Sequence, residues 1–472
     1  MLEFVKAVNE WMWGLILLII LCGTGIFFTI RLKFIQVRKF GEGCRLVFGH
    51  FKSSGGERKE GEMTPFQSLA TAIAAQVGTG NLTGAATALI AGGPGAIFWM
   101  WVSAFFGMAT IYGEATLAQE YKTKKDGEVT GGPVYYIHQA FKGTFGRVLA
   151  VIFAIFIILA LGFMGNMVQS NSIGAAFSGV FESRNINIPP VAIGIILAVI
   201  AAFIFVGGTT RLAAVVEKIV PFMAGIYIVG SLILIGMNIT ALPGAFKMIF
   251  VGAFNPTAVV GGAAGITVRE AIRYGVARGL FSNEAGMGST PHAHAQANVA
   301  HAHDQGVVAM IGVFIDTFVV LTLNALVIIC TLYTKGGPLA GGYTGAITET
   351  LGKTNLAQTA FGSVFGASLG AKFVAICLLF FAFSTILSWN LFGKINANYL
   401  FGRKNGKLCS VIYTVIALVF IFLGTVSGSD FVWELTDMFN NLIVLPNVIA
   451  LFALTGMVVA SMNEMKKDKL KV

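Results

Sequence analysis

From Trp13 onward the chain is parcelled into about eleven predominantly apolar runs, most of them long enough to cross a bilayer as a helix at about twenty residues per crossing. Inside lipid only helices or closed barrels satisfy every backbone N–H and C=O. The runs are Trp13 to Ile30, Pro65 to Ala91, Gly95 to Glu114, Val148 to Phe177, Pro190 to Val206 and Ile219 to Ile239, then Thr267 to Ala300, Gly306 to Leu332, Phe373 to Phe392, Leu408 to Thr425 and Phe431 to Met462. Composition agrees: 56% of the 472 residues are hydrophobic and 11% charged, against about 25% charged in an ordinary soluble chain. The fold class is an all-α polytopic membrane protein. The first run is expected to be retained, because Glu3 and Glu10 flank a single Lys6 before it and the basic segment Arg31, Lys33, Arg38, Lys39, Arg45 follows it. The apolar stretch Val251 to Val268 is read as a loop dipping into the protein, since Asn255-Pro256 and Gly261-Gly262 give it little helix-forming character.

The net charge of +10 matters through its placement, not its size. If each span reverses the side of the next loop, one face collects the Arg31 to Lys59 segment, Lys122, Lys124 and Lys125, Arg211, the Arg403-Lys404-Lys407 loop and the Lys466 to Lys471 tail. With the other loop residues on that side, about two thirds of all Lys and Arg fall on this face, which makes it cytoplasmic by the positive-inside rule. The expected topology places the N-terminus outside and the C-terminus inside the cell membrane. Five cysteines form no disulfide framework, and Cys22, Cys330 and Cys377, inside apolar runs, read as small packing residues.

Two spans carry interruptions near their middles. In the second, Gln76-Val77-Gly78-Thr79-Gly80-Asn81 divides an uncharged run; in the seventh, Gly279 to Gly288 brings three glycines, Asn283 and Glu284. Glycine and asparagine weaken a helix at bilayer depth, and irregular backbone survives there only when buried in protein or lining a polar cavity. A glycine pair in one span is as readily explained by close helix packing. Two interruptions five spans apart, in helices running oppositely, are the mark of an inverted-repeat secondary transporter. The division that follows is 1–62 as an extra helix with a basic segment, 63–240 as the first five-helix repeat, 241–266 as an extracellular loop, 267–463 as the second, inverted repeat, and 464–472 as a basic tail. Each break exposes free N–H groups on one side and free C=O groups on the other. One suits a carboxylate, the other an ammonium or Na⁺.

The stretches Gln76 to Gly84 (Gln-Val-Gly-Thr-Gly-Asn-Leu-Thr-Gly) and Gly279 to His292 (Gly-Leu-Phe-Ser-Asn-Glu-Ala-Gly-Met-Gly-Ser-Thr-Pro-His) resemble the alanine/glycine:cation symporter family, and the similarity covers nearly the whole chain. The resemblance implies the five-plus-five inverted-repeat fold of the bacterial leucine transporter type, and sodium- or proton-coupled import of small neutral amino acids. It favours Na⁺, the only small co-ligand expected in place of a cofactor. By analogy with that fold, carbonyls of Ala74 and Val77 and hydroxyls of Ser384 and Thr385 would hold the ion. N–H groups of Thr79, Gly80 and Asn81 would take the carboxylate. Carbonyls from Gly279 to Ser282, with Gln169 and Asn283, would take the ammonium, and Phe281, Met287 and Trp389 would limit side-chain size. The expected partners are the amino acid, Na⁺ and the bilayer, with no nucleic acid and no obligatory protein partner.

Other readings stay open at these positions. Gln169 also serves as interhelical glue, the hydroxyls of Ser384, Thr385 and Ser388 also bond back to the preceding turn, and large side chains are ordinary core or lipid-facing residues. Asp316, inside the eighth run, is expected to be functional or to pair with Arg278 or Lys394, because a lone carboxylate in lipid is expensive. Glu284 either titrates or pairs with an arginine. His292, His294, His301 and His303 do not follow a zinc spacing. No nucleophile elbow, Walker loop or paired catalytic acids occur, so enzyme and ATP-driven pump are both disfavoured. The rivals to Na⁺ symport are H⁺ coupling and an uncoupled channel or receptor-like binding protein of the same fold.

Overall fold

A computed structural model describes residues 2–12, 16–49, 62–125, 128–182, 188–260, 266–334, 336–340, 351, 355–402 and 405–469. Its helices of eight or more residues are α1 (Leu2–Trp11), α2 (Leu17–Arg31), α3 (Phe40–Gly49), α4 (Pro65–Gln76), α5 (Ala85–Gly92), α6 (Gly95–Glu120), α7 (Pro133–Ala140), α8 (Thr144–Phe181) and α9 (Pro190–Val206). They continue as α10 (Gly208–Met237), α11 (Leu242–Phe254), α12 (Val268–Asn283), α13 (Ala302–Tyr333), α14 (Leu356–Phe365), α15 (Ala367–Phe401), α16 (Gly406–Val426), α17 (Ser429–Ala453) and α18 (Thr455–Lys469). Among the described residues seven helices are long and apolar enough to cross a membrane, and α2, α9 and the segment around α11 are shorter apolar helices. The chain is a multi-pass membrane protein.

Both interrupted spans begin in the same way. Thr64 accepts a hydrogen bond from Gln67 N while the Gln67 side chain answers the Thr64 amide, and Thr267 and Glu270 do the same at α12. These capping boxes satisfy the first free amides of each helix. The start of α4 is joined to the far end of the second interrupted span: Met63 N donates to Gln296 O and Asn298 N to Met63 O, both at 2.9 Å. Between α6 and α7 a short antiparallel hairpin pairs β1 (Thr123–Lys125) with β2 (Glu128–Thr130).

In the interior, α6 packs against α12, α13 and α2, while α15 packs against α8, α4 and α10. The outer helices α9 and α16 pack together and turn Phe203, Val206, Val411 and Val415 outward, the composition that lipid contact requires. Wide π-type turns interrupt α8 at Ile158–Gly165 and α13 at Phe314–Leu321. Such turns often accompany functional sites.

Two segments read from sequence as loops contain helices. The 241–266 segment carries α11, which packs on α6 through glycine: a Cβ on Gly95 would lie 2.1 Å from the Gly252 carbonyl carbon. Asn255-Pro256 ends a helix that started at Leu242, so the run from Val251 straddled a helix end. Gly261 and Gly262 lie outside the described residues. Between the eighth and ninth runs, where no span was expected, α14 folds back onto α15. The eleventh run, Phe431 to Met462, is two helices, α17 and α18, which meet at Leu454.

Candidate functional site

The first break is made by backbone geometry. Val77 N still donates to Ile73 O at 2.7 Å, but Val77 itself (φ −84°, ψ 82°) carries the chain out of the helix. The next residues cap themselves: Gly78 N donates to Asn81 Oδ1 at 3.1 Å and Asn81 N to Gly78 O at 3.3 Å. A wide turn, Gly80–Gly84, then leads into α5. The glycines sit where other elements approach. A Cβ on Gly78 would lie 2.5 Å from Thr385 Oγ1 and 3.4 Å from Gln169 Oε1, and one on Gly80 would lie 3.3 Å from Ser282 Cα and 3.4 Å from the Phe281 ring. The first break thus touches α15, α8 and the second interrupted span at once.

The second break begins where Glu284 adopts a left-handed conformation, φ 58°, ending α12 at Asn283. Gly286 and Gly288 follow with φ of 87° and 80°, conformations that glycine tolerates and other residues resist. Two buried carboxylates hold this turn. Glu114, on α6, accepts from Gly286 N (2.9 Å), Gly288 N (2.9 Å) and Asn447 Nδ2 (2.6 Å). Asn447 also donates to Gly286 O at 2.9 Å and accepts from the Tyr136 hydroxyl. Glu284 accepts from Trp389 Nε1 at 2.7 Å and from Ser289 Oγ at 2.5 Å.

Asp316 links the two breaks. It accepts from Asn81 Nδ2 (2.7 Å) on the first, from Ser282 Oγ (3.1 Å to each oxygen) on the second, and from Thr317 Oγ1 (2.9 Å). Gln76 Nε2 donates to Asn283 O at 2.9 Å and Asn283 Nδ2 to Thr317 Oγ1 at 3.2 Å. The cationic partners considered for Asp316 are elsewhere. Arg278 pairs with Asp437 at 3.0 Å, and Lys394 lines a separate cavity. Glu284, likewise, is met by an indole and a hydroxyl and not by an arginine. Arg278 lies over the Phe281 ring at 5.9 Å, and Phe281 faces Trp433 at 6.0 Å between centroids.

The residues singled out from sequence fall into two groups. Thr385 Oγ1 donates to Ala74 O at 2.7 Å, which brings these two candidates together, and Val77 is buried one turn beyond Ala74. Thr79, Gly80, Asn81, Phe281, Ser282 and Asn283 converge where the breaks meet. Ser384 does not join Thr385: its hydroxyl reaches Met223 Sδ at 3.4 Å and Phe381 O at 2.9 Å, because adjacent helical residues point about 100° apart. Gln169 lies at the first break, its Oε1 accepting from Thr79 N at 3.3 Å, and not beside the carbonyls of α12. Gly279 faces α6, where a Cβ would lie 2.8 Å from Ser103 Oγ, so it is a close-packing glycine. Met287 is buried in the turn after Glu284, its amide donating to Glu284 O at 3.2 Å. Trp389 packs against Gly165, where a Cβ would lie 2.6 Å from its ring carbons.

The histidines hold structural partners. His292 bonds to Ser289 O and Asn396 and stacks near Phe153 and Phe392, His294 bonds to Gln305, and His303 to Tyr112. His301 is exposed. Among the described residues no cluster of three or more His, Cys, Asp or Glu side chains is placed to hold a metal. Sequence reasoning missed Glu114, which was taken as the end of a span. The helix runs on to Glu120 and buries Glu114 within it, and a carboxylate inside a long apolar helix is the signal that would have found it.

The whole chain, residues 1–471, matches the family described as the sodium:alanine symporter family. The chain belongs to that family. As a sodium:alanine symporter family member it is a transport protein and not an enzyme. It is 40% identical over 474 residues to the sodium/alanine symporter AgcS of Methanococcus maripaludis, covering 99% of both chains. It is 39% identical to the amino-acid carrier protein AlsT of Bacillus subtilis, with 93% of this chain and 86% of that one covered. A probable sodium/glutamine symporter, GlnT, of the same organism is 37% identical, with 99% and 91% covered. Among solved structures the family member resembles a manganese transporter of Eremococcus coleocola in complex with an aromatic bis-isothiourea compound, with a TM-score of 0.52 at 13% identity over 80% of this chain and 75% of that one. That likeness concerns the fold alone.

Proposed function

We propose that this protein imports a small neutral amino acid, alanine or glycine, coupled to Na⁺ by alternating access. The observation that carries the reading is the meeting of two helix breaks in a buried place: Gly80 against Ser282 and Phe281, with Thr385 on the Ala74 carbonyl and Gln169 on the Thr79 amide. Buried backbone groups freed from helical pairing need partners, and a zwitterion with a cation supplies both signs. In this reading the amides of Thr79, Gly80 and Asn81 take the carboxylate, and Gln169 yields the Thr79 amide to it. Carbonyls at the end of α12 and the Ser282 and Asn283 side chains take the ammonium. Na⁺ sits by Ala74 O, Val77 O and Thr385 Oγ1, neutral oxygens that suit a hard cation. Phe281 and Trp389 set the size limit. The family membership and the relatives named for sodium and alanine support the ion and the substrate.

The proposed layout is two inverted five-helix repeats, α4–α10 and α12–α17, with α4 and α5 as one broken span, α7, α11 and α14 as insertions, and the basic loops on the cytoplasmic face. The matching capping boxes of the two interrupted spans support it.

The deciding experiment is uptake of labelled alanine into proteoliposomes. Accumulation should require an inward Na⁺ gradient. Accumulation driven by a proton gradient without Na⁺ would establish H⁺ coupling instead, and ion leak without amino acid would establish a channel. N-acetylalanine and ethylamine should both fail to compete. Competition by ethylamine equal to that of alanine would overturn the carboxylate assignment.

A further inference from the structure

Away from the breaks, a cavity of about 460 Å³ opens between the hairpin β1–β2, the junction of α9 and α10, and the ends of α15 and α16. Among the described residues Lys125, Lys394 and Lys407 line it, with the carboxylate of Glu128. Lys125 Nζ donates to Asn398 O at 2.9 Å. Lys394 projects from α15 between the buried residues Gly393 and Ile395, and among the described residues its ammonium meets no carboxylate. The first residues of α10 and α16, Gly208 and Gly406, also line the cavity, and helix N-termini add to a field that favours anions. Leu391, Ile395 and Leu418 form an apolar part of the wall, beside the polar side chains of Thr209, Ser410 and Thr414. At the mouth stand Val206, Val411 and Val415, which are 83%, 59% and 55% exposed on the helices that face lipid.

We infer that this cavity is a binding site for one anionic phospholipid. Its phosphate lies between Lys394 and Lys407, and its acyl chains run down the apolar face of α9 and α16. The chemistry is that of a basic pocket at the boundary between headgroups and hydrocarbon. A phosphate-binding site open to water does not need an apolar wall continuous with a lipid-facing surface. A phosphatidylglycerol molecule needs both.

The test is native mass spectrometry of the full chain, purified in mild detergent and incubated with phosphatidylglycerol or phosphatidylcholine of equal chain length. One phosphatidylglycerol should be retained in preference, with retention falling about fivefold for each lysine removed in Lys394→Gln and Lys407→Gln. Thr414→Trp keeps every charge but fills the cavity, and should lose retention too. If the double lysine variant does not purify as a single species, Lys407→Gln at its exposed position and Thr414→Trp decide the matter. Equal retention of phosphatidylcholine, or unchanged retention in these variants, would overturn the site. Displacement of the lipid by millimolar inorganic phosphate would assign the pocket to a soluble anion and overturn the lipid reading.

Discussion

The two helix breaks solve one problem, unpaired backbone at membrane depth, in opposite ways. The first is capped by its own Asn81 and reaches its neighbours one bond at a time: Gln76 to Asn283 O, Asn81 to Asp316 and Thr79 N to Gln169, with Thr385 on Ala74 O and Asn324 on Asn81 O. The Thr79 hydroxyl and Gln76 Oε1 are buried there without partners. The second is heavily held, with Glu114 receiving two backbone amides and Asn447, and Glu284 receiving Trp389 and Ser289. A site that binds and releases ligand needs groups whose partners can be exchanged, whereas the surface it binds against needs fixed geometry. On the proposed reading the first break, whose bonds are to neutral groups apart from Asp316, is where ligand exchanges, and the second, whose backbone amides rest on the Glu114 carboxylate, is the fixed surface.

The largest effect should come from the scaffold. Glu114→Ala leaves two backbone amides and an asparagine amide buried without their acceptor, at about 1–3 kcal/mol for each unsatisfied group. Thermal unfolding should fall well below that of any first-break variant, and uptake should vanish. Glu114→Gln, which keeps one acceptor oxygen, should fall between. A Glu114→Ala protein as stable as the parent would erase the distinction between the breaks.

Next is the joint. Asp316→Ala removes the acceptor shared by Asn81 and Ser282 and should cut uptake by about tenfold or more, corresponding to about 1.4 kcal/mol or greater. Asp316→Asn can still accept one of these bonds and should lose less. Equal uptake by all three proteins would mean that the breaks act independently.

Smaller and more selective changes belong to the first break. Thr385→Ala should raise the Na⁺ concentration needed for half-maximal uptake by about tenfold, with alanine affinity at saturating Na⁺ little altered, and Thr385→Ser should restore it. Gly78→Ala, whose Cβ would press on Thr385 Oγ1, should act in the same direction. Titration of uptake against Na⁺ checks both; an unchanged sodium requirement would move the ion elsewhere. Ser384→Ala, with its hydroxyl on Met223 and Phe381, should leave that requirement near the parent value.

The smallest expected shift is in selectivity. Phe281→Ala and Trp389→Ala enlarge the space beside Gly80 and Gly165, so valine and leucine should begin to compete while alanine weakens by about 1 kcal/mol, the low end of what one methylene contributes. Rejection of leucine by both variants, with alanine binding intact, would show that the size filter lies in other side chains. Because Trp389 also supplies a hydrogen bond to Glu284, Trp389→Phe separates the two contributions: it removes the bond and keeps most of the bulk.

Local chemistry carried much of this into the sequence. Apolar runs of bilayer length located most of the helices, since lipid leaves the backbone no other pairing, and Gly78, Gly80, Gly286 and Gly288 marked both breaks because strained or crowded backbone demands glycine. What the sequence could not contain is direction and partnership. It could not separate Thr385, which faces Ala74, from Ser384, which faces Met223, because one helical step rotates a side chain to another neighbour. It gave no means of assigning Asp437 to Arg278, or Asn81 and Ser282 to Asp316. Helix ends were blurred where apolar residues continued past them, which hid α11 behind Asn255-Pro256 and made Glu114 a boundary instead of a buried acceptor. Residues 172 and 333 positions from Glu114 complete its hydrogen bonds, and only the packing of α6 against α12 and the reach of Asn447 from α17 bring them together. The sequence determined where most of the apolar helices lie and where two of them break, through backbone needs each segment carries alone; the tertiary structure decided what fills each break, because a buried polar group's partner is set by distance in space.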